Sequence, residues 1–174
     1  AGDGDLTNNV KAVPFQLGKA PDLAANDLTA PAQAQLGQAL EVSWTVTNQG
    51  EGVASSAWGD HFYLSDNATF EPANDRLAGS RWMSDQSPLP ANGRYTQTYS
   101  LTVPAFGLGN QYLLVVTDGG NNLADANRTN NVKASPITLS GADLAVTAAT
   151  APVSGILGQS LELSWTVKNV GNAA

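Results

Sequence analysis

With 15 acidic and 8 basic residues in 174, the chain carries a net charge of −7, and no lysine–arginine cluster gives it a footprint for gripping nucleic acid or an anionic membrane surface. Its length holds one complete core of ordinary domain size, with too little left over for a second. The lack of cysteine excludes disulfides and thiolate chemistry, and no apolar run approaches the roughly 18–20 residues of a membrane-spanning helix.

In chain order, the expected elements are all strands. The first covers residues 22–28. In Leu40-Glu41-Val42-Ser43-Trp44-Thr45-Val46-Thr47 the apolar side chains fall on every even position, so a strand buries Leu40, Val42, Trp44 and Val46 on one face. Strands over 58–65 and 76–83 follow. Tyr95, Tyr99, Leu101 and Val103 then alternate with polar neighbours, Gln97 being the one polar residue on the apolar side. Residues 112–117 are apolar on both phases and predict a central strand, and a last strand covers 132–139. Gly, Pro and Asn turns lie between them, over 48–50, 87–93, 104–110 and 118–122.

The chain then repeats itself. Ala142-Asp143-Leu144-Ala145 through Ser164-Trp165-Thr166-Val167-Lys168-Asn169-Val170-Gly171 restates Pro21-Asp22-Leu23-Ala24 through Ser43-Trp44-Thr45-Val46-Thr47-Asn48-Gln49-Gly50 at an offset of 121 residues. Thr7-Asn8-Asn9-Val10-Lys11-Ala12 returns as Thr129-Asn130-Asn131-Val132-Lys133-Ala134 at an offset of 122, so one insertion or deletion separates the two echoes. Such self-similarity is the mark of a tandem array. Residues 1–19 are expected to be the C-terminal strand region of a preceding repeat, 20–140 a complete repeat, and 141–174 the N-terminal strands of a following, incomplete one. The linker Ser140-Gly141-Ala142 is short enough to restrict bending.

About seven strands in roughly 120 residues predict an all-β, immunoglobulin-like antiparallel β-sandwich, repeated in tandem. Trp44 is placed to fill the space between the sheets, its copy Trp165 holds the same core phase, and Tyr112 is a candidate for a tyrosine corner.

Asp22-Leu23, Trp44-Thr45-Val46-Thr47-Asn48-Gln49-Gly50, Tyr63-Leu64-Ser65, Gly109-Asn110-Gln111-Tyr112-Leu113-Leu114-Val115-Val116-Thr117-Asp118 and Asn130-Asn131-Val132 stand in the order typical of one family. The chain resembles the bacterial cell-adhesion-related domain, CARDB, over nearly the whole complete unit and both partial ones. That resemblance implies an immunoglobulin-like fold in secreted or surface proteins, extracellular or on the bacterial cell surface. It points to a structural module of a fibre or adhesin that provides spacing and strand-mediated self-assembly, its partners being neighbouring repeats or other copies of itself. The alternative is a calcium-dependent or glycan-binding adhesion module that contacts a cell-surface glycan or protein.

Catalysis has little to stand on. The single histidine, His61, lies beside Asp60 on an expected strand without a nucleophile elbow, and no cofactor motif is present. Strict alternation turns Asp60 toward the core with Trp58, Phe62 and Leu64, where a carboxyl group needs hydrogen-bond partners. Calcium is the one candidate cofactor, because two loops are rich in oxygen ligands. Asp66, Glu71 and Asp75 supply the first; Asp118, Asn121 and Asp125 supply the second. Asp and Asn also build turns by bonding their own backbone, which accounts for such loops without an ion. Trp82, next to Arg81, is the candidate glycan contact, and its structural alternative is packing beneath the loop containing Pro88 and Pro90. Sequons at Asn67-Ala68-Thr69 and Asn127-Arg128-Thr129 fall in expected loops.

Overall fold

The computed structural model describes residue 7 and residues 9–173. Two sheets form the complete unit. β1 (Leu23–Thr29), β3 (Ala39–Asn48) and β6 (Arg94–Thr102) make a three-stranded sheet in the order β1-β3-β6. The second has the order β2-β8-β7-β4-β5, from β2 (Gln33–Gln35), β4 (Gly59–Ser65), β5 (Arg76–Trp82), β7 (Gly109–Val116) and β8 (Val132–Ser140). All pairings are antiparallel except β2 with β8. The result is an all-β fold consistent with an immunoglobulin-like sandwich. A separate hairpin, β9 (Leu144–Thr150) with β10 (Ser164–Asn169), follows it.

The seven expected strands all form, with ends within a few residues of those read from the periodicity. β2 went unforeseen because three residues are too few to display a period. Pro136 lies in β8 beyond the reach of β2, which pairs only with Thr138, Leu139 and Ser140, so β8 is locally an edge strand and tolerates a residue without an amide proton. Burial of β7 follows its double-phase pattern. Leu113 and Val115 enter the core between the sheets, and Leu114 and Val116 are buried on the opposite face. Trp44 is 1% exposed and meets Phe62 edge-on, with ring centroids 4.9 Å apart. Tyr112 makes no tyrosine corner: it is half-buried opposite Pro136, and no hydrogen bond from its hydroxyl is formed among the described residues.

The second hairpin copies the first residue by residue. Leu23 pairs with Asn48, Ala25 with Val46, Asp27 with Thr45 and Thr29 with Ser43; Leu144 pairs with Asn169, Val146 with Val167, Ala148 with Thr166 and Thr150 with Ser164. Even the bulge recurs, leaving Asn26 unpaired in one and Thr147 in the other. Trp165 thus has Trp44's register but not its burial. It is 67% exposed, because no sheet among the described residues lies over β9 and β10. At the other end, residues 9–19 carry no strand and leave Val10, Phe15 and Leu17 exposed, while residues 1–6 and 8 of the expected preceding repeat lie outside the described residues.

Candidate functional site

Alternation along β4 drives the Asp60 carboxyl group into the core, where it is fully buried. Its Oδ2 accepts from Trp44 Nε1 at 2.7 Å and from the Tyr95 hydroxyl at 2.5 Å, both on the three-stranded sheet. Its Oδ1 accepts from Thr117 Oγ1 at 2.7 Å, just past β7, and the Asp118 backbone adds a further bond. Trp58 Nε1 in turn donates to the Tyr95 oxygen at 3.3 Å. A single carboxyl group therefore ties the two sheets together through side chains from three strands. Burial pushes the Asp60 carboxyl above its ordinary 3.8, against the pull of those donors, and burial together with the Asp60 charge pushes the Tyr95 hydroxyl far above its ordinary value.

The sign of the linkage follows. A carboxyl whose folded-state value is raised contributes stability in full below pH 3.8, and that contribution is lost as pH rises through the folded value. Urea unfolding should show the wild type losing stability relative to Asp60→Asn from about pH 4 upward, with a slope of at most about 1.4 kcal/mol per pH unit. Parallel stability curves for the two proteins across that range would contradict the assignment.

His61 points to the other face of β4, so the two neighbours in sequence form no acid–base pair. Its ring is wedged between two glycines, where a Cβ on Gly119 would stand 2.6 Å from Nδ1 and one on Gly59 2.9 Å from Nε2. Its Nδ1 lies 3.4 Å from the Tyr63 hydroxyl.

The two oxygen-rich loops flank one shallow groove of about 270 Å³ on the outer face of the large sheet, with Tyr63, Phe70 and Pro72 on one side and Asp118, Asn121 and Arg128 on the other. The second loop's carboxylates are already engaged. Asp118, fully buried, accepts from the amides of Asn122 (2.7 Å) and Leu123 (3.1 Å) and pairs with Arg128 at 2.8 Å. Asp125 accepts from Leu23 N and Asn131 Nδ2 with one oxygen and from Asn127 N with the other. Asn121 is exposed, in a turn of positive φ. In the first loop, Asp66 is exposed and accepts from Asn67 Nδ2, Glu71 accepts from Asn74 Nδ2, and Asp75 Oδ2 accepts from Glu71 N at 2.7 Å. The other oxygen of Asp75 is buried without a partner, and burial, with a smaller contribution from the Asp75 charge, raises the Tyr63 hydroxyl. No three His, Cys, Asp or Glu side chains converge as a metal cluster among the described residues.

Trp82 is 57% exposed at the edge of the large sheet rather than packed beneath the proline loop, and Arg81 beside it pairs with Asp85. Asn67 and Asn127, the sequon residues, accept from the backbone amides of Thr69 and Thr129 and so close tight turns.

One constellation escaped the sequence reading, which took Asn48-Gln49-Gly50 for an ordinary turn. Asn48 is fully buried. Its Oδ1 accepts from Asp22 N at 3.0 Å and Gly50 N at 3.1 Å, and its Nδ2 donates to the carbonyls of Gly52, Leu89 and Pro90 at 2.8–3.1 Å. A Cβ on Gly50 would stand 2.5 Å from Asp22 N, so the chain can close there only with glycine. Asn169 repeats the clamp, accepting from Asp143 N (2.9 Å) and Gly171 N (3.0 Å) and donating to the Ala173 carbonyl. The signal was Asn-x-Gly recurring at the repeat offset. Asn130 Nδ2 donates to Asp22 Oδ1 at 2.9 Å, so Asn130 ties the segment before the last strand to the beginning of the unit.

The family described as CARDB matches residues 20–135. Among solved structures, the CARDB domain of a Pyrococcus furiosus protein in complex with di-metal ions is 17% identical, with 71% of this chain and 97% of that chain covered and a TM-score of 0.50. A domain of a putative cell surface protein from Methanosarcina acetivorans is 16% identical, covering 69% of this chain and 92% of that one at a TM-score of 0.49. A β-glucosidase from Listeria innocua is 17% identical over 71% of this chain and 16% of its own length, at 0.42. No curated protein matches the sequence. At 17% identity the likeness to the Pyrococcus furiosus domain is one of fold, and because that CARDB domain is archaeal the bacterial setting implied by the sequence resemblance is not specific to the family.

Proposed function

Because the chain belongs to the CARDB family, a non-catalytic adhesion domain, we propose that it is a structural module of an extracellular or cell-surface repeat protein, in which residues 20–140 form one complete unit and 141–174 open the next. The observation that carries this reading is the copying of register, bulge and asparagine clamp from the first hairpin into the second. A hairpin alone is marginal in water. A segment that reproduces the opening of a sandwich this closely fits the start of a second one. Its exposed apolar face and free strand edges support the self-assembly part of the reading. A cell-surface glycan would find its aromatic contact at Trp82. Electron microscopy of the parent array should find linear particles that join end to end; compact particles whose length is independent of unit number would overturn the spacing role, and monomers only would overturn self-assembly.

A cation is the second reading, favoured by the buried, unpartnered oxygen of Asp75 in a loop that also holds Asp66 and Glu71. The fit is partial, because the engaged carboxylates of Asp118 and Asp125 leave that loop, with backbone carbonyls and water, to supply the ligands. Binding to the folded state must raise the unfolding midpoint by mass action. Millimolar calcium should therefore raise the wild-type midpoint and leave Asp75→Asn unmoved. A wild-type midpoint that stays put ends this reading.

A further inference from the structure

The joint between β8 and β9 contains almost no free backbone. Ser140 accepts from Leu36 N at 2.9 Å, and its hydroxyl donates to the Ala34 carbonyl at 3.3 Å, so the complete unit holds the chain through its last strand residue. The next residue already belongs to the following loop. Gly141 donates its amide to Asn172 Oδ1 at 3.0 Å and accepts from Ala173 N at 3.2 Å. Asp143 accepts from Val170 N at 2.7 Å while donating to Asn169.

Packing presses on the same residue from both sides. Gly141 is buried, and a Cβ there would stand 3.0 Å from Leu36 Cδ1 and 3.2 Å from Leu108 Cδ2 of the complete unit. From the other direction, a Cβ on Gly171 would collide with the Gly141 carbonyl oxygen. The loop half of this arrangement recurs at the entrance to the complete unit: Gly52 N donates to the Ala20 carbonyl at 3.0 Å and a Cβ on Gly52 would collide with the Lys19 carbonyl oxygen, while Glu51, in the place of Asn172, pairs with Lys19.

The geometry points to a docking contact between successive units of the same fold, in which Leu36 and Leu108 at the end of one unit close on Gly141, the first residue of the next, while that next unit's own Asn-x-Gly loop holds Gly141 from the other side. Successive units are thereby held in one fixed orientation instead of hanging on a flexible tether. This rests on the tandem reading above and adds what the joint is made of. The bonds run between backbone groups and through Asn169 and Asn172, so a following unit needs only the loop, whatever its outer surface carries. A joint without slack transmits orientation from unit to unit, as a stalk of set length requires.

The test is solution NMR on the 174-residue chain. Residual dipolar couplings from β9 and β10 should fit the same alignment tensor as those from β1 to β8. Inserting four Gly/Ser residues after Gly141 should abolish the common tensor, and Asn172→Ala should weaken it, while the thermal midpoint of the complete unit stays in place. A wild-type hairpin that keeps its cross-strand contacts but needs its own tensor overturns the fixed joint and leaves the tandem reading standing, as does an insertion that changes nothing. Absence of the β9–β10 cross-strand contacts would also overturn the fixed joint, since the bonds through Asn169 and Asn172 require the hairpin, while the tandem reading fails separately, by the electron microscopy of the parent array.

Discussion

Replacing Asp60 by alanine should lower the folding free energy by about 3–5 kcal/mol, the range seen when one member of a buried, hydrogen-bonded charged network is removed. The substitution orphans four donors in the core: the indole N–H of Trp44, the hydroxyls of Tyr95 and Thr117, and the Asp118 backbone amide. Each buried, unsatisfied group costs about 1–3 kcal/mol. Relief from desolvating the carboxyl offsets part of that sum, so the net stays below it. Asp60→Asn separates the contributions. Its carbonyl oxygen can keep Trp44 and Tyr95 while its amide donates to Thr117 Oγ1, whose hydroxyl rotates to accept, so its loss should be at most about half that of alanine. Urea midpoints with unchanged m-values would measure both. A loss below about 1 kcal/mol for alanine would mean that the network does not hold the sheets together.

The second large effect is expected at Asn48, where alanine should cost about 2–4 kcal/mol. Two amides donate to the oxygen of this one buried side chain, and its two amide protons are shared among three carbonyls. Asn48→Asp is the informative control. It keeps the acceptor side intact but turns a second carboxylate oxygen toward the carbonyls of Gly52, Leu89 and Pro90, so it should be no milder than alanine. If aspartate were tolerated and alanine were not, the donated bonds would carry no weight, and the clamp as described would be wrong. Chemical denaturation of the three proteins at neutral pH decides it.

These residues mark how far the sequence could be read. The strands were legible because a half-buried strand imposes a period of two on its residues, so the sides of β3, β4 and β6 followed from that pattern alone, while β7, apolar on both phases, read as a central strand. Asp60 was legible too, as an acid caught on the wrong phase. Its partners were not, since Trp44, Tyr95 and Thr117 are 16, 35 and 57 residues away and only the closure of two sheets brings them to one point. The acidic loops showed the opposite case. Their composition suggested ligands, yet Asp118 and Asp125 spend their oxygens on backbone amides, Arg128 and Asn131, because a carboxylate inside a turn finds donors nearer than any ion.

By itself, the sequence determined the strand pattern, the inward residues and the unit that repeats, because local periodicity and self-similarity are properties of the string. Only the tertiary structure decided that Asp60 joins the two sheets, that Asn48 and Asn169 are clamps rather than turn formers, and that Trp165 in Trp44's register stays exposed. The physical reason is the same in each case. Burial and hydrogen bonding depend on which surfaces meet, and residues far apart in the chain supply those surfaces.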